Sequence, residues 1–323
     1  MNIREQAAAS IVASLGALLV AAACVAERPL SAGPQPVPRD LSSGAELPTA
    51  VAGTRIAWWT REPGTERRAY VRLDGEDPQL IDLPEFAVTA ARSSSGRYVA
   101  YATSLLADGN IELLDVESGE RRVVVQGAVR FPGATLAYPS FSQDEMFIVF
   151  EVATAHRIDL AMVELGSGHL QFLDLRGGVN KWPRISPDGA WILVGCEDQS
   201  RPGLSLCLID QARRERRYLV EDQVISPGEF TADSQSVVYV AAVGDIHGEG
   251  QLYRVGLDGR DRRLLVSGLR RGTGVAMAGD AVAFTCQDAE RPLCDWICVV
   301  GLSGGEVRRL TYLGERCIDP DAP

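Results

Sequence analysis

Lysine is all but missing from this chain: Lys181 is the only one in 323 residues, and the other basic side chains are arginine. No lysine-rich patch can form, and a net charge of −11 sets the molecule against nucleic acid and anionic membrane surfaces as electrostatic partners. Histidine is nearly as scarce. His156, His169 and His247 lie far apart, His169 in a Gly-Ser-Gly-His turn, and nothing spaces them as a metal pair or sets one beside a nucleophile. A catalytic triad is therefore not expected, nor a strand-to-helix nucleophile elbow. Past residue 23 there is no long apolar run although 46% of the residues are hydrophobic, which points to a soluble body with a large core. Helical periodicity is missing from about residue 46 onward, which excludes a helical bundle or a second, α/β domain.

What is there is a recurring turn. In Trp182 to Gly195, Pro187 presets φ for a reversal, Asp188 can bond its own backbone and Gly189 tolerates positive φ; an apolar strand follows. Weaker copies are Ser94-Ser95-Gly96 before Arg97 to Tyr101, Ser142 to Glu145 before Met146 to Phe150, and Thr231 to Ser234 before Gln235 to Val240. Strands Arg55 to Trp59 and Ala281 to Thr285 sit at matching places with degraded turns. Taking Ile56, Val99, Ile148, Ile192, Val238 and Val282 as equivalent, the steps are 43, 49, 44, 46 and 44 residues, which gives six units. Each unit holds further short strands joined by Gly-rich turns: Glu117 to Gly119, Gly166 to Gly168, Asp258-Gly259 and Ser303 to Gly305. Four short antiparallel strands every ~45 residues is the period of a β-propeller blade, because one such sheet cannot cover both its apolar faces and must stack on its neighbours. The expected fold is all-β: a β-propeller of six four-stranded antiparallel blades rather than seven, with a β-sandwich of irregular hairpins as the competing arrangement.

Pro-x-x-Ser-Pro-Asp-Gly followed by an apolar strand, at Pro183 to Gly189, resembles the repeat of the TolB-like propellers, a family that also supplies the propeller of prolyl-oligopeptidase-type enzymes. The resemblance spans roughly residues 46 to 317 and its motif is complete in one unit of six. It implies a propeller fold and, from a family whose propeller binds a peptidoglycan-associated lipoprotein, a protein or peptide partner. The family's N-terminal α/β domain has no counterpart here.

Residues 1 to 24 carry a targeting signal: Arg4, an apolar stretch from Ala7 to Ala23, and then Cys24. Ala21-Ala22-Ala23-Cys24 looks like a bacterial lipobox, in which Cys24 would be acylated; ordinary cleavage after Ala23 is the alternative. Val25 after the Cys favours the outer membrane by that same resemblance. Residues 25 to 45, rich in Pro, Ser, Gly and Ala, read as a flexible tether, and 46 to 323 as the propeller domain. The expected location is exported and lipid-anchored, facing the periplasm or the cell surface.

Seven cysteines become six once Cys24 is lipidated, an even set that suggests disulfides in an exported chain. Aligning the units puts Cys196 and Cys286 at one place in the second strand and Cys207 and Cys298 at one place in the third. That pairs Cys196 with Cys207 and Cys286 with Cys298, leaving Cys294 and Cys317 to pin the C-terminus. A zinc site competes, but the cluster lacks a Cys-x-x-Cys spacing.

Asp144, Asp188 and Asp233 recur at the turns, where Asp closes the reversal; symmetry-related turn tips stand too far apart to share a calcium ion. Asp245 and Glu249 form an acidic Gly-rich loop that would hold calcium only on its own. Arginine pairs at 121–122, 216–217, 262–263 and 308–309 open the outermost strands, as charged edges that discourage aggregation or as a basic rim. The longer loops gather on the face away from the Pro-Asp-Gly turns, where recognition is usually placed. Tyr138, Lys181, Trp182, Arg270 and Arg271 fall where the chain enters the innermost strands and suit partner anchoring, with Trp182 also suited to a wedge between blades. The expectation is a monomeric, non-enzymatic interaction module without cofactor, binding an envelope protein or peptide and touching the membrane through its anchor alone. The alternative is a carbohydrate or small-ligand binder, or a lyase acting in the channel.

Overall fold

The computed structural model describes residues 55–57, 67–72, 79–83, 87, 89–173, 178–197, 203–212, 215–244, 249–269, 274–287 and 295–313. The proposed signal, Cys24, the tether, Asp245, His247, Arg270, Arg271, Cys294 and Cys317 lie outside the described residues.

The strands fall into successive antiparallel units. Strands β1 (Arg55–Ala57), β2 (Arg67–Arg72) and β3 (Gln79–Asp82) make the first. The second holds β4 (Thr89–Arg92), β5 (Tyr98–Ala102), β6 (Ile111–Asp115) and β7 (Arg121–Val125). A one-turn helix, α1 (Gly127–Arg130), precedes the third: β8 (Thr135–Phe141), β9 (Phe147–Ala153), β10 (Ile158–Glu164) and β11 (Leu170–Leu173). The fourth runs through β12 (Asn180–Ile185), β13 (Trp191–Glu197), β14 (Leu204–Asp210) and β15 (Arg216–Val224). The fifth comprises β16 (Glu229–Phe230), β17 (Ser236–Ala242), β18 (Gly250–Gly256) and β19 (Arg263–Leu269), joined to the fourth by the single pair Val224–Ala241. The last is β20 (Val275–Ala278), β21 (Ala281–Gln287), β22 (Asp295–Gly301) and β23 (Arg308–Leu313). The innermost strands follow one another in space: β4 beside β8, then β12, β16 and β20, with β1 beside β20.

The turn between the first two strands of a unit is one hydrogen-bonded device written with different residues. Ser142, Ser186 and Thr231 donate their hydroxyls to Oδ1 of Asp144, Asp188 and Asp233. Each Oδ1 also accepts a backbone N–H two residues on, from Met146, Ala190 and Gln235 at 3.0 Å. In the second unit Ser95 takes the Asp place, accepting from the Arg97 N–H at 3.1 Å. The left-handed position is filled by Gly96, Glu145, Gly189 and Ser234, with φ between 57° and 78°. Glycine fills that position in two of the four, and only the turn at Pro187 to Gly189 combines it with Pro and Asp. The hydroxyl bond is the chief reason that Asp144, Asp188 and Asp233 are all held below the usual carboxylate range.

Strands β5, β9, β13 and β17 are buried on both faces, and the period of two sends their residues to different neighbours. Ile148, Phe150 and Val152 of β9 pack with Ala100, Ile111 and Leu113 of the second unit, whereas Val149 packs with Ile192, Val194 and Cys207 of the fourth. Further clusters join the fourth unit to the fifth through Leu206, Leu208, Val237 and Tyr239, and the fifth to the sixth through Val238, Leu252, Val282 and Phe284. The core is thus a series of layers between units.

Both expected strand-to-strand disulfides are present, Cys196–Cys207 and Cys286–Cys298, with Cα atoms 5.8 and 5.9 Å apart. The partners are diagonal rather than directly opposite: Cys196 faces Ser205 and Cys207 faces Val194, and Cys286 faces Trp296 while Cys298 faces Phe284. Two of the arginine pairs do more than charge an edge. Arg217 donates to the Leu257 carbonyl at 2.6 Å and Arg263 to that of Ser303 at 3.0 Å, tying each outermost strand to the next unit's turn.

Candidate partner-binding site on the inner strands

Tyr138 and Trp182 lie within strands β8 and β12, not at their entries as the sequence suggested, and each sits at a break in the pairing register with the neighbouring strand. Both have a left-handed backbone, φ 50° and 57°, and both precede a proline that can donate no ladder bond. A bulky side chain in that region costs on the order of 1–3 kcal/mol and persists only where its surroundings hold it. Here they do. The Tyr138 N–H donates to Thr89 Oγ1 of the preceding unit at 2.9 Å, and the Trp182 N–H donates to Glu151 Oε1 of the preceding unit at 2.5 Å. The indole lies against Gly195, where an added Cβ would come within 3.2 Å of Trp182 Cε3 and the ring would have to give by a few tenths of an ångström.

Charge collects around these two rings. Glu151 is 3% exposed, and burial lifts its carboxyl to about 7 against the pull of the Trp182 N–H, Lys181 and Arg184. Lys181 is also buried, and desolvation lowers its pKa while Glu151 and Glu197 oppose that shift. Arg184 Nε pairs with Glu229 Oε1 of the next unit at 2.6 Å, both side chains being partly exposed. Burial, then the Glu151 charge, pushes the Tyr138 phenol up to about 12. Two aromatic rings and both signs of charge are therefore fixed along adjacent inner strands. Arg270 and Arg271, the other expected anchors, are outside the described residues.

Sequence reasoning missed Thr89, Glu151, Arg184 and Glu229. Glu151 had a signal, being the one charged residue in the apolar run Phe147 to Ala153; the others had none, since their roles arise only when units meet.

A pH dependence follows from Glu151. Its folded pKa is raised from 4.5 to about 7, so the native state binds the proton more tightly and stability falls as pH rises between those values. The cost between pH 5 and pH 8 is about 2 kcal/mol. Glu151→Gln keeps an acceptor for the Trp182 N–H and is expected to remove most of that slope in urea unfolding. An unchanged slope would assign it to other groups.

His156 and His169 are exposed at turns. Gly301-Leu302-Ser303-Gly304-Gly305 carries the letters of a nucleophile elbow, which the sequence reading took to be missing, but it joins strands β22 and β23 with positive φ at Gly304 and Gly305. A hairpin of that kind is not the strained strand-to-helix turn that exposes a serine nucleophile. Among the described residues no group of three His, Cys, Asp or Glu could hold a metal ion.

No protein-family model matches the chain, and no curated protein matches it in sequence. Solved structures do match in fold. TolB from Acinetobacter baumannii superposes with a TM-score of 0.63 at 17% identity, over 80% of this chain and 66% of that one, so the chain spans just under two thirds of its length. The Nidogen/Laminin complex gives 0.59 at 13% identity over 81% and 94%, and an oligogalacturonate lyase in complex with manganese gives 0.58 at 14% over 80% and 74%. The structural neighbours are thus TolB-like β-propeller proteins at low identity, a likeness of fold.

Proposed function

We propose that the protein is an exported, non-enzymatic, six-bladed propeller that binds an envelope protein or peptide at the inner strands around Tyr138, Lys181 and Trp182. The observation that carries this is the pair of aromatic residues in strained backbone at adjacent strand bulges, each locked to the preceding unit. Rigid aromatic anchors lose little entropy on binding and dominate interface energetics. In this reading Cys24 is the lipid anchor, Arg270 and Arg271 are further anchors named from the sequence alone, and the neighbouring of β1 and β20 supports ring closure. Capture from native envelope extract tests it. A specific partner is expected whose affinity falls about 30-fold in Trp182→Ala and Tyr138→Ala, as for hot-spot residues, in variants that still unfold cooperatively. Capture no better than that by a scrambled-surface control, or indifferent to both substitutions, would overturn the proposal.

A second reading, an acidic-carbohydrate binder, draws on the likeness to an oligogalacturonate lyase and on the cations Lys181 and Arg184 beside the rings. Thermal stabilisation by oligogalacturonate, lost in Arg184→Ala, would favour it over a protein partner.

A further inference from the structure

The turn face carries a feature that the inner-strand site does not use. At two junctions the turns of neighbouring units are bonded together: Glu145 accepts from the hydroxyls of Ser94 at 2.9 Å and Ser95 at 3.1 Å, and the Asp188 N–H donates to Ser234 Oγ at 3.0 Å. Between the third and fourth units there is instead an open cleft of about 390 Å³. Its floor is apolar, made by the half-buried Phe147, Met162 and Ile185, and its rim carries the carboxylates of Asp144 and Asp188.

Each carboxylate uses Oδ1 for its own turn, and that of Asp188 is held as well by the Ser234 hydroxyl of the fifth unit, so both charges are fixed in place beside the cleft. The turn bonds keep both groups ionised well below neutral pH. An apolar slot ending in two negative charges is complementary to a side chain with a hydrocarbon stem and a cationic head. A guanidinium fits best, because its planar, weakly hydrated fork can lie on Phe147 while its charge meets a carboxylate at the rim. The volume is at the lower end of the range for ligand pockets, room for one side chain and its backbone rather than a large ligand. We propose that this cleft is a docking site for an arginine side chain of a peptide partner, independent of the inner-strand site.

The test titrates the ¹⁵N-labelled full chain with N-acetyl-arginine methylamide and with its citrulline counterpart, which has nearly the same shape without the charge. Saturable shifts are expected at the amides of Met146, Ala190 and Gln211, with the citrulline compound binding about ten-fold more weakly. Gln143 lies on the rim and its side chain takes no part in the turn, so its variants leave the fold intact. Gln143→Lys is expected to weaken arginine binding about five-fold or more and Gln143→Glu to strengthen it. Equal affinity for the two compounds, shifts confined to other residues, or indifference to both Gln143 variants would each overturn the proposal. Loss of the partner in Tyr138 or Trp182 variants bears on the inner-strand site, which shares no residue with this cleft, and leaves these outcomes unaffected.

Discussion

Phe150→Ala is expected to cost about 3–5 kcal/mol of folding stability. Phe150 is fully buried in β9 and points into the layer between the second and third units, among Ile111, Leu113, Val125 and Leu136. Phe131, at the end of α1, meets it edge-on at 6.1 Å. These neighbours stand on hydrogen-bonded ladders from two sheets, so the space left by the ring cannot close without moving a whole strand, and the cavity term adds to the lost transfer energy. Phe172→Ala is the control. That ring also lies 6.1 Å from Phe131 and 5.8 Å from the Arg157 guanidinium, but it is 39% exposed, and its removal is expected to cost no more than about 1 kcal/mol. Denaturant unfolding of both variants with unchanged m-values would isolate the difference. A cost for Phe150→Ala as small as the control's would mean that the second and third units do not share a core, and the stacked-unit account of this fold would fail. Against a typical total of 5–15 kcal/mol, the expected loss leaves a protein close to unfolding.

The fold was legible because its repeating element is local. Apolar strands follow from the need of a stacked sheet to be covered on both faces, and that need shows directly as runs such as Ser236 to Ala242. The turns were harder to see: the same geometry is served by Ser95 in one unit and Asp in three, and its left-handed position by Gly, Glu or Ser, so the hydrogen bonds recur while the letters drift. Helix α1 was invisible for a related reason. Four residues carry too little periodicity to register, and the contact that follows the helix, Phe131 on Phe150, is tertiary. For the candidate site, Tyr138, Lys181 and Trp182 stood out in the sequence as an aromatic and cationic set near the expected channel. Their position inside the strands did not, because a bulge is a property of the pairing. The arginines at the outermost strands looked like solvent-facing charge, whereas Arg217 and Arg263 reach carbonyls 40 residues away in sequence. Contacts between units are tertiary and leave no local pattern to read.

Removing both disulfides together is expected to cost about 5–6 kcal/mol, the largest single effect foreseen for this protein. The bridges close loops of 11 and 12 residues in sequence separation, and restriction of the unfolded chain by a loop of that size contributes roughly 3 kcal/mol each. They stand in different units and different core layers, Cys196 and Cys207 between the third and fourth units, Cys286 and Cys298 between the fifth and sixth. With no shared partners their contributions are expected to add. The sum matches the lower end of the stability of an ordinary domain, so the chain should fold poorly wherever thiols are kept reduced and well in an oxidising compartment. Intact mass with and without reductant, after alkylation of free thiols, reads the bridges and any acyl chain on Cys24 in one experiment. Urea unfolding of the oxidised protein beside a Cys→Ala variant of all four positions reads their energy. The single-bridge variants should each lose about half of the total. If the midpoint were the same with and without the bridges, the strand ladders alone would hold these units, and the argument from cysteine pairing to an exported protein would lose its energetic basis: bonds that contribute nothing to stability would be compatible with folding in either compartment.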